Sequence, residues 1–551
     1  MNRPWVNHYD EGVPHSLTYP SLRVFDFLDE AASRYPEQPC TIFEGKTISY
    51  ARMSALTDVL ARGLIALGLQ KGERVGILLP NVPQYVLAYY ATLKAGGVVS
   101  AMNPAYTPRE VEYQIRDSGC ALVIAGESSR PLIEQLPQDV PVRQWIFTSL
   151  EDAFSIAEWQ PDPAFCLKDP VRTTFTLQEV MRWAPVVLER KAQVSPDDVA
   201  IFQYSGGTAG IPKAAVGLHR NLVANTLQFR AWLSGMEDGR ETVLLAIPLY
   251  HVYGMVVGMS VGASMAARMV LIPNPRELPK LLEAVQTYQV SFFPGVPTLY
   301  ALINQHPLVQ SGEVNLRSIR ACISGSAPLL EEIRLRFEAL TGAKLMEGYG
   351  LSEAPTATHC NPMLGEKRPG SIGLPLPDVD CRIVSLEDGE TDLPTGEVGE
   401  LLIRGPQVMQ GYHNRPEETR ETLRNGWLYT GDIARMDEDG YFYILDRKKD
   451  LIKVSGYQVW PREVEEVIAA HPAVLEAGVA GIPHPIRGEA VKAWVVLKPG
   501  HSASAEEIFE WCKQSLVYYK VPIEVEFLER LPRSPVGKLL RRVLTEPYRQ
   551  V

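Results

Sequence analysis

The chain has 551 residues, 46% of them apolar, and a formal charge of -11. That length exceeds one ordinary domain and supplies the apolar mass for at least two cores. The acidic balance argues against sequence-independent nucleic-acid binding and against whole-surface attraction to anionic lipid, while leaving room for a local basic patch.

Residues 22–35 and 49–69 have helical apolar spacing, 75–79 reads as a short buried strand, and 83–94 as a helix. A helix at 110–117 and a strand at 121–125 follow. Strands alternating with helices predict an α/β fold with a parallel, doubly wound sheet. Residues 149–173 are rich in Pro, Asp and aromatics without period, which reads as an irregular surface excursion. The alternation resumes at 243–247, 269–272, 277–288 and 290–293. Residues 254–273 are nearly apolar, with Arg268 the only charge and Gly254, Gly258 and Gly262 at four-residue spacing. A membrane-spanning helix with a small-residue face is one reading of that stretch, and its glycines and arginine oppose it.

From Gly370 the texture changes to short apolar stretches at 379–384, 399–403, 427–429 and 441–444, a small strand-rich subdomain. After Asp450 a compact α+β tail begins. Pro461-Arg462-Glu463-Val464-Glu465 opens a helix, with proline in the first turn and acids at the positive end of the dipole. Strands are expected at 475–480, 491–497 and 523–527, and a helix at 505–516. The division that follows is a large N-terminal domain over 1–446 with a subdomain over about 370–445, a hinge at 447–450, and a small C-terminal domain over 451–551.

Seven cysteines, Cys40, Cys120, Cys166, Cys322, Cys360, Cys381 and Cys512, are far apart, odd in number and form no CxxC. They read as reduced, buried thiols of a cytoplasmic protein. Met1-Asn2-Arg3-Pro4-Trp5 lacks the apolar core of a signal peptide.

The most informative stretch is Gln203-Tyr204-Ser205-Gly206-Gly207-Thr208-Ala209-Gly210-Ile211-Pro212-Lys213. Glycines let the backbone turn sharply and approach a ligand. Consecutive N–H groups in such a turn form a concave anion site, hydroxyls add donors, and a lysine adds a point charge. The loop suits a polyphosphate, although a surface turn has the same composition. It departs from a Walker loop, because Pro212 precedes Lys213 and Ala214 follows it.

Other pieces recur in order: Pro248-Leu249-Tyr250-His251, Gly325-Ser326-Ala327-Pro328, Gly348-Tyr349-Gly350-Leu351-Ser352-Glu353, Tyr429-Thr430-Gly431-Asp432, Asp446-Arg447-Lys448-Lys449-Asp450 and Pro535-Val536-Gly537-Lys538. Together they resemble the adenylate-forming, AMP-binding enzymes, over about residues 47–541. Gly206-Gly207 and the run 446–456 resemble most the fatty acyl-CoA synthetases. The resemblance implies a barrel-like subdomain, a mobile C-terminal lid, and synthesis of an acyl-CoA from a carboxylate, ATP and CoA with Mg²⁺.

It also implies roles. Ser205, Gly206, Gly207, Thr208, Gly210 and Lys213 would hold the phosphates. Gly325, Ser326, Ala327 and Pro328 would lie near adenine, with Gly348, Tyr349, Gly350 and Ser352 alongside. Tyr349 offers adenine an aromatic face. Asp432 and Arg447 would meet the ribose. Glu353 would be a Mg²⁺ ligand, together with Thr208; one carboxylate plus phosphate oxygens suits that ion. His251 would sit beside the acyl carboxylate, and Lys538 would bridge carboxylate and α-phosphate. Lys449 matches the hinge residue, and Lys453 and Gly456 the CoA side. Taken singly, several have plainer readings: His251 a core histidine, Asp432 turn chemistry, Lys538 an exposed tail lysine.

Ala209 stands where threonine is usual, which removes one hydroxyl from the loop, and Ser352 replaces threonine with its hydroxyl kept. Met255 occupies the position of a gating tryptophan found in some long-chain relatives. Gly254, Gly258, Gly262 and Ala263 leave two readings, room for an acyl tunnel or close helix packing. A medium- or long-chain fatty acid is the expected substrate, with an aryl acid as the alternative. An acyl-AMP ligase serving a carrier protein, a luciferase-like oxidative enzyme and a non-catalytic nucleotide binder are the rival classes. No nucleic-acid partner or transmembrane segment is expected. Peripheral membrane contact and a monomeric or homodimeric state are compatible with the sequence.

Overall fold

The computed structural model describes residues 3–160, 173–183, 192–205, 212–455, 457–534 and 537–548. Two large sheets carry the first part of the chain. One has nine strands, in the order Leu374–Pro375, Ala357–Cys360, Lys344–Gly350, Ala321–Ser324, Phe292–Gly295, Thr242–Leu245, Arg268–Leu271, Pro39–Phe43 and Lys46–Ser49. Neighbours from Lys344–Gly350 through Pro39–Phe43 are parallel, and the edges are antiparallel. The second sheet has eight strands, with Val199–Ser205, Val98–Ala101, Arg74–Leu78, Cys120–Gly126, Gln144–Thr148 and Thr174–Thr176 running parallel in that order. Their near-continuous apolar runs are what burial on both faces requires. Helix Pro83–Lys94 touches strands of both sheets and is buried almost all round, which explains its poor amphipathic pattern.

One expectation changes, and one open reading narrows. Of the stretch 149–173, residues 161–172 lie outside the described residues, and the part before them is not irregular: Ser149 and Asp152 form a capping box that starts helix Leu150–Ser155. The apolar stretch after Gly254 is a wide helical turn, Gly254–Ser260, running into Val261–Ser264 and then a strand. Among the described residues no helix is long and apolar enough to cross a membrane. A Cβ on Gly254 would strike the Pro248 carbonyl oxygen, and one on Gly258 would strike Leu245. Gly258 therefore lets the helix lie directly on strand Thr242–Leu245, and Gly254 lets it pack on the chain just beyond, which favours the packing reading over the tunnel.

A small antiparallel sheet follows, built from Asp380–Val384, Gly399–Arg404, Trp427–Met436, Leu423–Arg424 and Phe442–Arg447. The last sheet lies wholly after Asp450. Its centre is the long hairpin of Val474–His484 and Gly488–Leu497, with Ile452–Val454, Tyr457–Val459 and Glu524–Phe527 beside it. Helices Pro461–Ala469 and Ala505–Ser515 cover one face and share a separate core of Val464, Ile468, Val479, Val491, Ile508 and Cys512. The six described cysteines are free and buried.

Candidate active site

The site residues collect where parallel strands end, the place where an open α/β sheet leaves a crevice. Four adjacent strands of the nine-stranded sheet deliver them. Pro248-Leu249-Tyr250-His251 follows Thr242–Leu245, Gly295 ends Phe292–Gly295, Gly325-Ser326-Ala327-Pro328 follows Ala321–Ser324, and Gly348, Tyr349 and Gly350 end Lys344–Gly350. The turn after Ala321–Ser324 is tight: Ser326 has φ of 71°. Beneath it the Tyr253 ring faces Gly325, and the Tyr253 hydroxyl donates to the Ile323 carbonyl at 2.9 Å. Gly350 is backbone-limited, since a Cβ there would collide with the Thr356 carbonyl oxygen.

Asp432 and Arg447 face each other across the small sheet as register partners. Arg447 Nε lies 2.7 Å from Asp432 Oδ1, and Asp432 is 1% exposed. The Tyr349 hydroxyl donates to Asp432 Oδ2, so tyrosine, aspartate and Arg447 form one network. The Asp432 carboxylate holds the Arg447 guanidinium further up, and burial drives the Tyr349 phenol well above its usual range. Thr430 anchors the turn, donating to Leu401 O at 2.7 Å and accepting the Asp432 N–H at 3.1 Å.

Ser352 and Glu353 lie in the turn beyond Gly350. Glu353 Oε1 accepts the Tyr412 hydroxyl at 2.8 Å, and its backbone oxygen accepts the Met409 N–H at 2.8 Å. Lys213 opens strand Lys213–Leu218, with Nζ 5.3 Å from the Tyr412 ring and 3.7 Å from Glu418. That strand and Val199–Ser205 pair up to Ser205↔Lys213, which pins both ends of the glycine-rich loop. Gly206, Gly207, Thr208 and Gly210 lie outside the described residues, as does Gly456.

His251 is held by its own turn: Nδ1 accepts the Tyr253 N–H at 3.2 Å, so a neutral ring keeps its proton on Nε2. Burial, and secondarily Lys538, push its pKa down to about 4. An uncharged imidazole N–H donor suits a substrate carboxylate oxygen.

Lys538 is the far-travelled member. It follows Gly537, whose φ of 80° turns the chain so that its backbone lies near Thr298 of the large domain. The Ser534 N–H donates to the Lys538 carbonyl oxygen at 2.8 Å, closing the turn. Burial lowers the ammonium's pKa to about 8; Arg447 and Lys449 push the same way, and Asp432 and Asp450 oppose them. The structure thus brings His251, Asp432, Arg447, Lys449 and Lys538 into one electrostatic neighbourhood. The tail-lysine reading fails. Lys453 is not part of this group: its side chain is exposed on strand Ile452–Val454, with its backbone N–H donating to Glu489 at 2.7 Å.

Sequence reasoning missed Tyr412, Tyr253 and Arg462. The first two belong to no polar pattern, and Arg462 read only as a residue of a helix start.

Wound sheets, a small antiparallel sheet and a compact last domain that sends a lysine into the crevice of the first make up the two-domain architecture of adenylate-forming enzymes. The chain belongs to the AMP-binding enzyme family. The model of that family, "AMP-binding enzyme", matches residues 28–413, and "AMP-binding enzyme C-terminal domain" matches 463–538. The long-chain-fatty-acid–CoA ligase of Bacillus subtilis (strain 168) is 41% identical, over 99% of this chain and 98% of that protein. The protein of the same name from Yersinia pestis is 38% identical over the same shares. The crystal structure of ATP-bound MatB from Rhodopseudomonas palustris superposes with a TM-score of 0.83 at 30% identity, covering 96% of this chain and 99% of that one.

Proposed function

We propose that this chain is an ATP-dependent acyl-CoA ligase that acts on medium- or long-chain fatty acids. The observation that carries the reading is Lys538, delivered from the last domain into the crevice that holds Asp432, Arg447 and His251. The full-length likeness to long-chain-fatty-acid–CoA ligases supports the substrate class.

The chemistry has two steps. A carboxylate oxygen attacks the α-phosphorus of ATP; the new P–O bond gives acyl-AMP as the bond to pyrophosphate breaks. The thiolate of CoA then attacks the acyl carbonyl, a thioester forms, and AMP leaves. Charge concentrates around phosphorus in the first step, so the residues act by positioning and electrostatic stabilisation. Lys538 supplies a cation between carboxylate and α-phosphate. His251 Nε2–H orients the carboxylate, and Asp432 accepts from the ribose hydroxyls. Tyr349 stacks on or edges adenine, and the turn at Gly325 closes that side. Glu353 offers Mg²⁺ a hard oxygen donor with lone pairs beyond the one Tyr412 uses. Bound there with phosphate oxygens and Thr208, the ion would neutralise charge on the polyphosphate.

Lys538 lies in the last domain and most of the nucleotide residues in the first, so the first step needs the two domains closed on each other. Thioester formation requires another arrangement, reached by rotation at Lys449 between domains 1–446 and 451–551. That rotation would bring Lys453 and Gly456 to the CoA side. We place the protein in the cytoplasm, where ATP and CoA are available, with peripheral contact at the inner membrane face for an apolar substrate.

The test is a carboxylate panel assayed for AMP release with CoA present. Fatty acids should be turned over with acyl-CoA as product. Turnover confined to benzoate- or coumarate-like acids would assign the aryl alternative, and acyl-dependent ATP–pyrophosphate exchange with neither AMP release nor acyl-CoA would point to a carrier protein as the acceptor.

A further inference from the structure

Helix Pro461–Ala469 begins the packed part of the last domain, and its own N-cap residue, Trp460, makes no side-chain cap. The first N–H groups of a helix need partners from elsewhere. Here the partner comes from the other side of the proposed hinge. Asp446, 5% exposed near the end of strand Phe442–Arg447, accepts the Arg462 N–H on Oδ2 at 2.8 Å and the Arg447 N–H on Oδ1 at 2.7 Å. A carboxylate at a helix N-terminus also meets the positive end of the helix dipole. The Arg462 side chain makes a second link across the hinge, donating from Nη1 to the Ile444 carbonyl at 2.6 Å.

The same helix holds the segment that carries Lys538. Arg541 donates to both carboxylate oxygens of Glu465 at 2.8 Å, and it also reaches Asp450 at 3.4 Å and the Val479 carbonyl at 3.0 Å. A continuous path therefore runs from Asp446 through the helix and Arg541 to Lys538, three residues before it. The two links at Arg462 join parts of the chain that would move relative to each other. They favour this arrangement over any in which the last domain has rotated, and a contact present in one state alone shifts the balance between states.

We propose that Asp446 is a positioning residue for the first half-reaction: by capping helix Pro461–Ala469 across the hinge, it docks the domain that brings Lys538 to the α-phosphate. This rests on the two-arrangement reading above. Asp446→Ala should lower acyl-dependent ATP–pyrophosphate exchange about tenfold, the loss expected from one charge-assisted hydrogen bond. Conversion of supplied acyl-AMP and CoA to acyl-CoA should stay at the wild-type rate or rise. Asp446→Asn keeps one acceptor for the Arg462 N–H and should lose less exchange. Arg462→Ala keeps the backbone N–H that Asp446 caps, removes the bond to Ile444 together with an exposed in-helix pair to Glu466 that does not cross the hinge, moves the ratio the same way, and carries the test if Asp446→Ala does not fold. Equal loss in both half-reactions, or unchanged exchange in folded variants, would overturn the proposal. Lys538→Ala, run in parallel, separates the two failures. If it splits the half-reactions and the Asp446 and Arg462 variants do not, the docking role alone falls. If Lys538→Ala does not split them either, the alternation itself falls, and the docking role with it.

Discussion

Replacing Asp432 should separate its structural from its nucleotide-binding role. Its oxygens are already engaged, Oδ1 by Arg447 Nε at 2.7 Å and Oδ2 by the Tyr349 hydroxyl. Asp432→Ala strips both partners at once. Breaking a buried ion pair from one side costs about 3–5 kcal/mol. The Arg447 side chain is 32% exposed, so water can reach the orphaned guanidinium and the lower end, about 3 kcal/mol, is expected. Asp432→Asn keeps the shape and one acceptor and should lose roughly half of that. AMP affinity behaves differently. Both variants lose a charged acceptor for ribose, and a hydrogen bond to a charged group contributes about 1.5–3 kcal/mol, or roughly 10- to 150-fold in Kd. Urea unfolding followed through the large domain, with AMP titration by calorimetry, measures the two quantities on one preparation. Stability lost in the predicted order, with AMP Kd unchanged in Asp432→Asn, would refute the ribose role and leave Asp432 as an anchor for Arg447 and Tyr349.

Tyr412→Phe removes the hydroxyl that orients Glu353 and should raise the Mg²⁺ concentration for half-maximal velocity about tenfold, since partners of ligating carboxylates typically have effects of that order; an unchanged Mg²⁺ titration would show that Glu353 needs no such support. The pH profile of kcat/KM for the first step should fall as pH rises through about 8, because Lys538 has a depressed pKa and loses its charge there. No acid limb from His251 is expected above about pH 5, since its ring is already neutral; a rate that rises above pH 8 would contradict the ammonium's role. Gly254→Ala pushes a methyl group against the Pro248 carbonyl oxygen at the loop that carries His251, and overpacking of this kind costs about 1–3 kcal/mol. A lowered Tm supports packing, whereas an unchanged Tm with a shortened acyl-chain preference would restore the tunnel reading.

What could be read from the sequence was what repeats or clusters locally. The apolar runs at 75–79 and 121–125 are the buried strands Arg74–Leu78 and Cys120–Gly126, and Pro461 with its acids does open a helix. The glycine stripe at Gly254 was visible, but its meaning depended on how near Thr242–Leu245 would lie. The capping box at Ser149 and Asp152 was present in the sequence, hidden among the prolines and aromatics around it. Strand order could not be read: Pro39–Phe43 sits beside Arg268–Leu271, a pairing set by the shared core and not by any local pattern. For the site, the motifs located Asp432, Arg447 and Lys538 but not the Tyr349–Asp432 bond or the tenancy of Glu353 by Tyr412, because single tyrosines carry no period. Arg462 was read as a helix start, and its partner Asp446 is identifiable only when two parts of the chain are seen in contact.

The central claim is that Lys538, from the last domain, completes the site for acyl-adenylate formation and withdraws for thioester formation. Lys538→Ala, assayed separately in both half-reactions, tests it most directly. Removing one such preorganised group costs ~10²–10³ in rate, so acyl-dependent ATP–pyrophosphate exchange should fall by about that factor. Supplied acyl-AMP and CoA should still give acyl-CoA at close to the wild-type rate. Normal exchange in the variant, or an equal fall in both half-reactions of a folded protein, would contradict the account.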